Sequence, residues 1–294
     1  MSDSLLKVRD SLTSHYRSGH HTLAKDFFEP CLLEAVQYRR SAGYFSSSAL
    51  TTWAAALPRF VLSNELSINL ITSPKLFKKD ISVLRKLTSD KEREKYRQQC
   101  TDRVLAEILE FIATPSNNQQ CAEIFAWLVA NSKLRLRFAF PNNASRIGVF
   151  HEKIGIFDFP DGTQVAFTGS ANETFSGLHA NYESIDVYRS WIDSDLERVV
   201  TKADQFDEAW EGEAAGLNVH LPSKSVIERL VECAPETLDA SIFTQRRTST
   251  KTQNNNSRWR HQDDAVETFL SKNSQQETWF MGFISKAHAF WLYA

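Results

Sequence analysis

The chain has 294 residues, of which 42 % are hydrophobic and 24 % are charged, a balance typical of a soluble globular protein with one substantial core. Its apolar stretches fall short of the roughly 18 residues that a membrane span needs, and its first residues lack the pattern of a signal peptide. Four cysteines lie far apart without a C-x-x-C pair, which argues against a zinc site or a disulfide framework and indicates a cytoplasmic protein.

The net charge of −2 is unevenly distributed along the chain. Residues 1–150 carry 21 Lys and Arg against 14 Asp and Glu, whereas residues 151–294 carry 13 against 22. The basic excess is densest from Lys75 to Arg103, with ten basic and five acidic side chains. This stretch either holds a polyanionic partner or is a solvated helix face with i,i+4 ion pairs.

Hydrophobic periodicity predicts a mixture of helices and strands over the first half of the chain. In chain order these are a helical region at residues 1–35, a strand at 41–48 that runs into a turn, a short helix at 49–57, a strand at 66–73, and two or three helices at 78–131 that break near Pro115. The last of these regions is expected to be a helical insertion within a larger domain.

Strands dominate the next part of the chain. They are predicted at residues 133–140, 149–157, 164–168 and 184–191, and a helix at 194–213 follows, with Phe206 and Trp210 on one face. The sequence Phe159-Pro160-Asp161-Gly162 predicts a hairpin turn between the second and third of these strands. Strands and helices in this order indicate a layered α/β domain over residues 1–220, followed by a short helix and a polar linker at 221–256.

Two short motifs carry the chemistry. The first is His151-x-Lys153-x4-Asp158, and Gly169-Ser170-x-Asn172 follows eleven residues later. Residues two apart on a strand point to the same face, so the imidazole and the ammonium are expected to lie side by side. This combination suits a phosphodiester, because lysine neutralises non-bridging oxygens and imidazole works at neutral pH as nucleophile or general acid.

These motifs resemble the HKD signature of the phospholipase D superfamily, in the form that carries one motif per chain. Glu183, which lies 13 residues past Ser170, occupies the place of the acidic residue that orients the histidine of that family. The resemblance is specific over residues 150–191. It implies a phospholipase D-like α/β domain in which helices flank a central mixed β-sheet.

The resemblance also implies a role for each motif residue. His151 would attack phosphorus and form a phosphohistidine, while Lys153 and Asn172 would bind phosphate oxygens with support from Ser170. Glu183 would hold the imidazole through its other nitrogen. Two further motif positions would have supporting roles: Asp158 and Gly169. The resemblance implies no metal and no other cofactor, which agrees with the lack of a metal-ligand pattern in the sequence.

Among the eight histidines, only His151 is followed by lysine two residues later. Enzymes of this family use two histidines, so a second copy of the chain must supply the other one, which predicts a homodimer or a higher even oligomer. The resemblance implies a nuclease that acts on nucleic acid, DNA in particular, and that does not bind a membrane. The alternatives are a phospholipid hydrolase or phosphatidyl transferase, and a non-catalytic DNA-binding module.

Some residues near the motifs have two interpretations. Arg39 and Arg40 either reach the substrate phosphates or cover the start of a strand. Lys75, just past a strand end, either contributes to the rim of the active site or is solvated. His179 lies between the Gly169–Asn172 motif and Glu183, and we expect its role to be structural.

The C-terminal segment, residues 257–294, carries a further resemblance. Ser257-Arg-Trp-Arg-His-Gln262 resembles the adenine-sensing Q motif that opens superfamily 2 helicases, but no G-x-x-x-x-G-K-[ST] phosphate loop follows. We therefore expect no ATP binding. The segment is either a truncated or frameshifted remnant of a nuclease–helicase fusion, which suggests a helicase partner in restriction or phage defence, or a helical appendage that packs on the domain or on a partner.

Overall fold

The computed structural model describes residues 2–51, 67–114, 119–142, 148–172, 174 and 176–238. These residues belong to the first of two compact units of the chain, Met1–Thr244. Most of the predicted helix at 49–57, the break near Pro115, the polar linker and the segment 257–294 lie outside the described residues.

An eight-stranded mixed β-sheet forms the centre of this unit. In chain order its strands are β1 (His15–Arg17), β2 (Gln37–Ala42), β3 (Ser67–Thr72), β4 (Leu134–Pro141), β5 (Ile154–Asp158), β6 (Gln164–Gly169), β7 (Ser184–Arg189) and β8 (Leu217–His220). Their order across the sheet is β1-β7-β6-β5-β2-β3-β4-β8. β3 runs parallel to both β2 and β4, and the other neighbours are antiparallel. The α/β class with a central mixed sheet is confirmed.

Helices cover the sheet. They are α1 (Asp3–Ser11), α2 (Glu29–Glu34), α3 (Lys78–Lys86), α4 (Asp90–Ala113), α5 (Gln119–Ala130), α6 (Asp193–Glu211) and α7 (Lys224–Glu232). α1 begins after Ser2, whose hydroxyl accepts a hydrogen bond from the backbone N–H of Leu5. α6 ends at Gly212, where a φ of +79° stops the helix in the left-handed conformation that glycine adopts without strain. None of the described helices is long and apolar enough to cross a membrane.

The larger core lies on one face of the sheet. Tyr38 of β2 stacks on Phe157 of β5 with ring centroids 4.4 Å apart, and Phe167 of β6 extends this aromatic row. Helices α1, α2, α4, α5 and α7 each bury a side chain in the same cluster: Leu5, Leu32, Leu105, Phe125 and Leu230. Since each such side chain contributes about 1.5–3 kcal/mol when fully buried, this face supplies most of the apolar stabilisation.

The second core is smaller and lies under α6. Phe206 and Val199 of this helix pack on Ile156 and Ala166 of the sheet. Trp210, one turn after Phe206, stacks on the Phe206 ring at 5.9 Å, so the two aromatic residues share a face as predicted. The sheet is therefore covered on both faces, and its functional groups can reach solvent only at the strand ends.

The structure differs from the sequence-based expectations at four strands. β2 covers Gln37–Ala42, whereas the strand predicted there covers 41–48, so Arg39 and Arg40 lie within the strand and not before it. β1 lies within the region predicted to be helical, and β8 was not predicted. Each has only three or four residues and is held by pairing with a distant partner, β1 with β7 and β8 with β4. The strand predicted at 149–157 begins only at Ile154, so His151 and Lys153 precede the ladder instead of lying on it.

Candidate active site

Four strand ends meet at one edge of the sheet and carry the motif residues. β2 ends beside the start of β5, because Ser41 pairs with Ile154 in antiparallel register. β6 ends beside the start of β7, where Gly169 pairs with Ile185. The positions just beyond these ladders therefore come together, namely residues 43, 151–153, 170–172 and 183.

Lys153 and His151 are in direct contact. Nζ of Lys153 lies 3.1 Å from Nε2 and 3.2 Å from Nδ1 of His151, and it donates to the backbone oxygen of His151 at 3.2 Å. The ammonium therefore lies against the imidazole even though neither residue is in a strand. His151 is exposed, so its ring is accessible to an external ligand.

The Lys153 ammonium is poorly solvated. Its residue is 7 % exposed, and burial lowers the pKa of Lys153, as does the nearby charge of Arg40, while Glu183 acts in the opposite direction. A cation with little water around it attracts an anion more strongly than a hydrated one does. The site is therefore suited to a group with negative charge, such as a phosphodiester.

Gly43, which the motifs did not identify, allows the imidazole its position. A Cβ at this residue would lie 2.9 Å from Cδ2 and 3.1 Å from Cα of His151, and 3.4 Å from Oδ1 of Asn172. Only a residue without a side chain fits at the meeting point of the two motifs. The strand predicted at 41–48 includes Gly43, and only the observed end of β2 at Ala42 places this glycine directly after the strand.

Asn172 and Ser170 are held by backbone hydrogen bonds. Oδ1 of Asn172 accepts from the backbone N–H of Tyr44 at 3.1 Å, which leaves the amide NH2 as the donor for a ligand. The hydroxyl oxygen of Ser170 accepts from the N–H of Ser184 at 3.1 Å, and the Ser170 N–H donates to the Ser184 carbonyl. Ser170 thus prolongs the β6–β7 ladder to the edge of the site.

Glu183 is buried next to the site but does not make the expected contact. Its Oε1 accepts from Nδ2 of Asn181 at 3.1 Å, and Ser18 binds its backbone N–H and carbonyl. Within the described part of the chain, no hydrogen bond joins Glu183 to His151. Its carboxylate lies near Lys153 and offsets part of the positive charge there.

Arg40 supports the second motif from inside the core. Its Nη2 donates to the carbonyl oxygen of Ala171 at 2.6 Å, and its guanidinium lies 5.0 Å from the centroid of the Phe167 ring. The residue is buried. A cation on the carbonyl next to Asn172 fixes the loop that presents the amide. Arg40 therefore stabilises the site from the core and does not extend toward a ligand.

Arg39 points to the opposite face of β2. It donates to Asp158 through Nε and Nη2 at 3.0 and 2.8 Å, and to Asp207 of α6 through Nη1. Asp158 also accepts from Gln164 at 2.7 Å. These contacts tie the last residue of the first motif into the sheet–helix interface, and they favour the structural interpretation of both Arg39 and Asp158.

The two other candidates are Lys75 and His179. Lys75 is exposed and lines a cleft that Tyr44 also lines. His179 lies in the π-helical turn Ser176–Ala180. No group of three His, Cys, Asp or Glu side chains suited to a metal ion occurs in the described ranges.

Comparisons with known proteins give the following. No family model and no curated protein matches the chain. The solved structures similar to it include NucT from Helicobacter pylori, with 13 % identity and a TM-score of 0.38 over 67 % of this chain and 94 % of that one. They also include the phospholipase D family member Nuc from Salmonella typhimurium, with 14 % identity and a TM-score of 0.36 over 71 % of this chain and 97 % of that one. Phosphatidylserine synthase from Haemophilus influenzae has 11 % identity and a TM-score of 0.36 over 70 % of this chain and 41 % of that one.

Proposed function

We propose that the chain is a phosphodiesterase of the phospholipase D superfamily, a nuclease that cleaves nucleic acid, DNA in particular, through a phosphohistidine on His151. The observation that carries this proposal is the contact of the buried Lys153 ammonium with the His151 imidazole. It occurs where the missing side chain of Gly43 leaves room for His151 and Asn172. An exposed nucleophile, a desolvated cation and an amide donor at one sheet edge are what transfer of a phosphoryl group requires.

The reaction would proceed in two displacements. In the first, a ring nitrogen of His151 attacks phosphorus, the bond to the leaving oxygen breaks, and the His151 imidazolium of a second copy gives that oxygen a proton. In the second, water attacks the phosphohistidine, the P–N bond breaks, and the second imidazole takes the proton of the water. Lys153 and Asn172 would neutralise and orient the non-bridging oxygens in both steps.

The need for a second histidine makes a dimer part of the proposal. Exposed apolar side chains border the site: Tyr44 follows Gly43, Val149 lies two residues before His151, and Tyr182 precedes Glu183. Exposed apolar groups around a polar centre are typical of a surface that another protein covers. A two-fold axis through this rim would bring two copies of His151 to one phosphate.

Three finer points remain hypotheses alongside this proposal. A helicase partner in restriction or phage defence depends on residues 257–294, which lie outside the described residues. The cytoplasmic location depends on the cysteine pattern, and the preference for DNA over RNA depends on the resemblance to single-motif nucleases.

The test is a cleavage assay with plasmid and single-stranded DNA in EDTA. We expect wild-type protein to cleave and His151→Ala to lose more than about 1,000-fold in rate, as removal of a nucleophile does. His20→Ala, which removes an exposed histidine far along the chain from the motifs, is the matched control and should cleave normally. Cleavage that survives in His151→Ala, or that EDTA abolishes, would contradict the proposal, and activity restricted to phospholipid would favour the lipid-hydrolase alternative.

A further inference from the structure

Three cationic side chains lie around one exposed aromatic side chain at the start of α3. Nζ of Lys75 and Nζ of Lys79 lie 5.4 and 5.9 Å from the centroid of the Phe77 ring, and Cζ of Arg103 lies 5.0 Å from it. The ring is still 37 % exposed. A hydrophobic ring that only filled the core would not remain open to solvent among three positive charges.

One buried carboxylate holds this cluster in place. Asp80 accepts from the backbone N–H of Phe77 at 2.7 Å and from both terminal nitrogens of Arg103 at 2.7 and 3.1 Å. The Tyr96 hydroxyl donates to the same carboxylate at 2.9 Å. Because Asp80 neutralises one charge, the cluster keeps a net positive charge from the two lysines, and its aromatic ring is fixed before any ligand arrives.

One cleft has a neighbour of each site in its lining. Tyr44 and Lys75 both line it, with Ser46, Ser47 and Ser73 among the other lining residues. The backbone N–H of Tyr44 holds Asn172. Lys75, in the same lining, lies against the Phe77 ring, so the cleft offers a strand bound at His151 a route toward the cluster.

We propose that Phe77 is a stacking subsite for an unpaired base of the nucleic-acid strand whose phosphodiester lies at His151, with Lys75 and Lys79 on the neighbouring phosphates. This inference rests on the proposed nuclease function and adds to it a preference for single-stranded segments. A base can stack on an exposed ring only when it is not paired, and stacking tolerates any sequence because every base has a π-face. Glu107 lines the same cleft and repels phosphate, so Lys75 is the phosphate contact within the cleft, and Lys79 lies on the Phe77 ring beside it.

Two substrates separate the subsite from the chemistry. Bis(p-nitrophenyl) phosphate has no base and no phosphate beyond its one diester, whereas a fluorescent single-stranded oligothymidylate has both. In a His151→Ala background, where the strand is not cut, we expect Phe77→Ala to raise the Kd for the oligonucleotide about tenfold and Phe77→Trp to restore it. With His151 present, Phe77→Ala should hydrolyse the aryl diester at the wild-type rate. Leu6→Ala, at an exposed apolar position of α1, is the control.

The lysines give a second, independent measurement. In Lys75→Ala/Lys79→Ala the plot of log K against log salt concentration should lose about 1.4 from its slope, because each phosphate contact on a single strand contributes roughly 0.7. Lys7→Ala, which removes an exposed lysine of α1, should not change the slope. Thermal melting would establish that each variant is folded.

The outcomes distinguish the subsite from the reaction. If His151 is required for aryl diester hydrolysis but Phe77→Ala binds the oligonucleotide as tightly as the parent, the subsite is wrong and the nuclease proposal stands. If the wild-type chain hydrolyses no diester and binds no oligonucleotide, both proposals fail. Equal weakening of duplex and single-strand binding by Phe77→Ala would overturn the stacking of an unpaired base.

Discussion

Gly43 and His151 face each other across the strand ends of β2 and β5, so closely that a methyl group on Gly43 would lie 2.9 Å from the imidazole carbon Cδ2. Such a distance is shorter than real side-chain carbons adopt, so the imidazole or its backbone would have to move. Since the same methyl group would also meet Oδ1 of Asn172, position 43 determines how closely the two motifs approach.

We expect Gly43→Ala to reduce the rate of diester cleavage by about 10- to 100-fold, because a displacement of about 1 Å at a reacting group has an effect of this size. The matched control is Gly148→Ala. A Cβ there would meet Pro141 at 3.6 Å, an ordinary contact, so its rate should be unchanged. Steady-state kinetics on an aryl phosphodiester measures both. Full activity in Gly43→Ala would show that the imidazole does not need its present position.

The pH dependence of cleavage should depend on Lys153 and Arg40. Burial and the charge of Arg40 lower the pKa of Lys153, so the ammonium deprotonates below the ordinary lysine value of 10.5. Activity should fall as pH rises through this lowered pKa. Removing a neighbouring positive charge favours the ammonium, so Arg40→Met should shift the alkaline limb of the kcat/KM profile to higher pH.

Arg40→Lys separates the charge of Arg40 from its hydrogen bond. This variant keeps the positive charge near Lys153, so its alkaline limb should stay at the wild-type position. Both variants weaken the contact with the carbonyl of Ala171 and should lower kcat about tenfold through the Asn172 loop. A profile that is the same in Arg40→Met and in wild type would contradict the electrostatic coupling. The same lowered pKa means that the unfolded chain binds more protons between the two pKa values, so this group makes folding stability rise with pH across that window.

Asp158 is expected to stabilise the fold without taking part in catalysis. Asp158→Asn removes the negative charge that Arg39 contacts through two nitrogens, and hydrogen bonds to charged groups contribute about 1.5–3 kcal/mol. The free energy of unfolding in urea should fall by about that amount, while kcat for the folded protein stays within about twofold. Asp204→Asn, an exposed position of α6, serves as control. Loss of kcat with unchanged stability would make Asp158 a catalytic residue.

The strands of the motif region could be predicted from sequence because their pairing is local. β5, β6 and β7 follow one another along the chain and pair in that order. The connection from β5 to β6 is short, and its turn Phe159–Gly162 has the composition of a hairpin, whereas residues 170–183 join β6 to β7. In the structure Phe159 and Thr163 close this turn with a backbone hydrogen bond, and Gly162 adopts a φ of +81°. The motif spacing alone therefore places His151, Lys153 and Ser170 at the same edge of the sheet.

The remaining parts of the site depend on contacts between distant residues. Gly43 is more than 100 residues from His151, and the pair meet only because β2 lies beside β5. Ser18, which binds the backbone of Glu183, reaches it through β1, a strand too short to have a periodicity of its own. Arg39 and Arg40 could not be told apart by sequence, since the alternation that points them to opposite faces does not say which face carries the site.

Dimers that combine subunits with and without His151 should show whether one histidine attacks phosphorus while the other transfers the proton. We expect dimers of one wild-type and one His151→Ala chain to release a single equivalent of p-nitrophenol from bis(p-nitrophenyl) phosphate and then turn over slowly. p-Nitrophenolate leaves without a proton, so one imidazole suffices to form the phosphohistidine. Hydrolysis of that intermediate, and cleavage of DNA, whose leaving alkoxide needs a proton, both require the second imidazole.

Co-expression with two different affinity tags would give the mixed dimer, and stopped-flow absorbance would measure the burst of p-nitrophenol. Dimers of two His151→Ala chains should show no burst, and the mixed dimer should cut DNA at least about 100-fold more slowly than wild type, the usual contribution of a general acid. If each chain held a complete site, the mixed dimer would instead retain half of the wild-type rate on both substrates. Half activity on DNA would therefore overturn the shared site even if His151 were the nucleophile, because one imidazole would then perform both proton transfers and the attack.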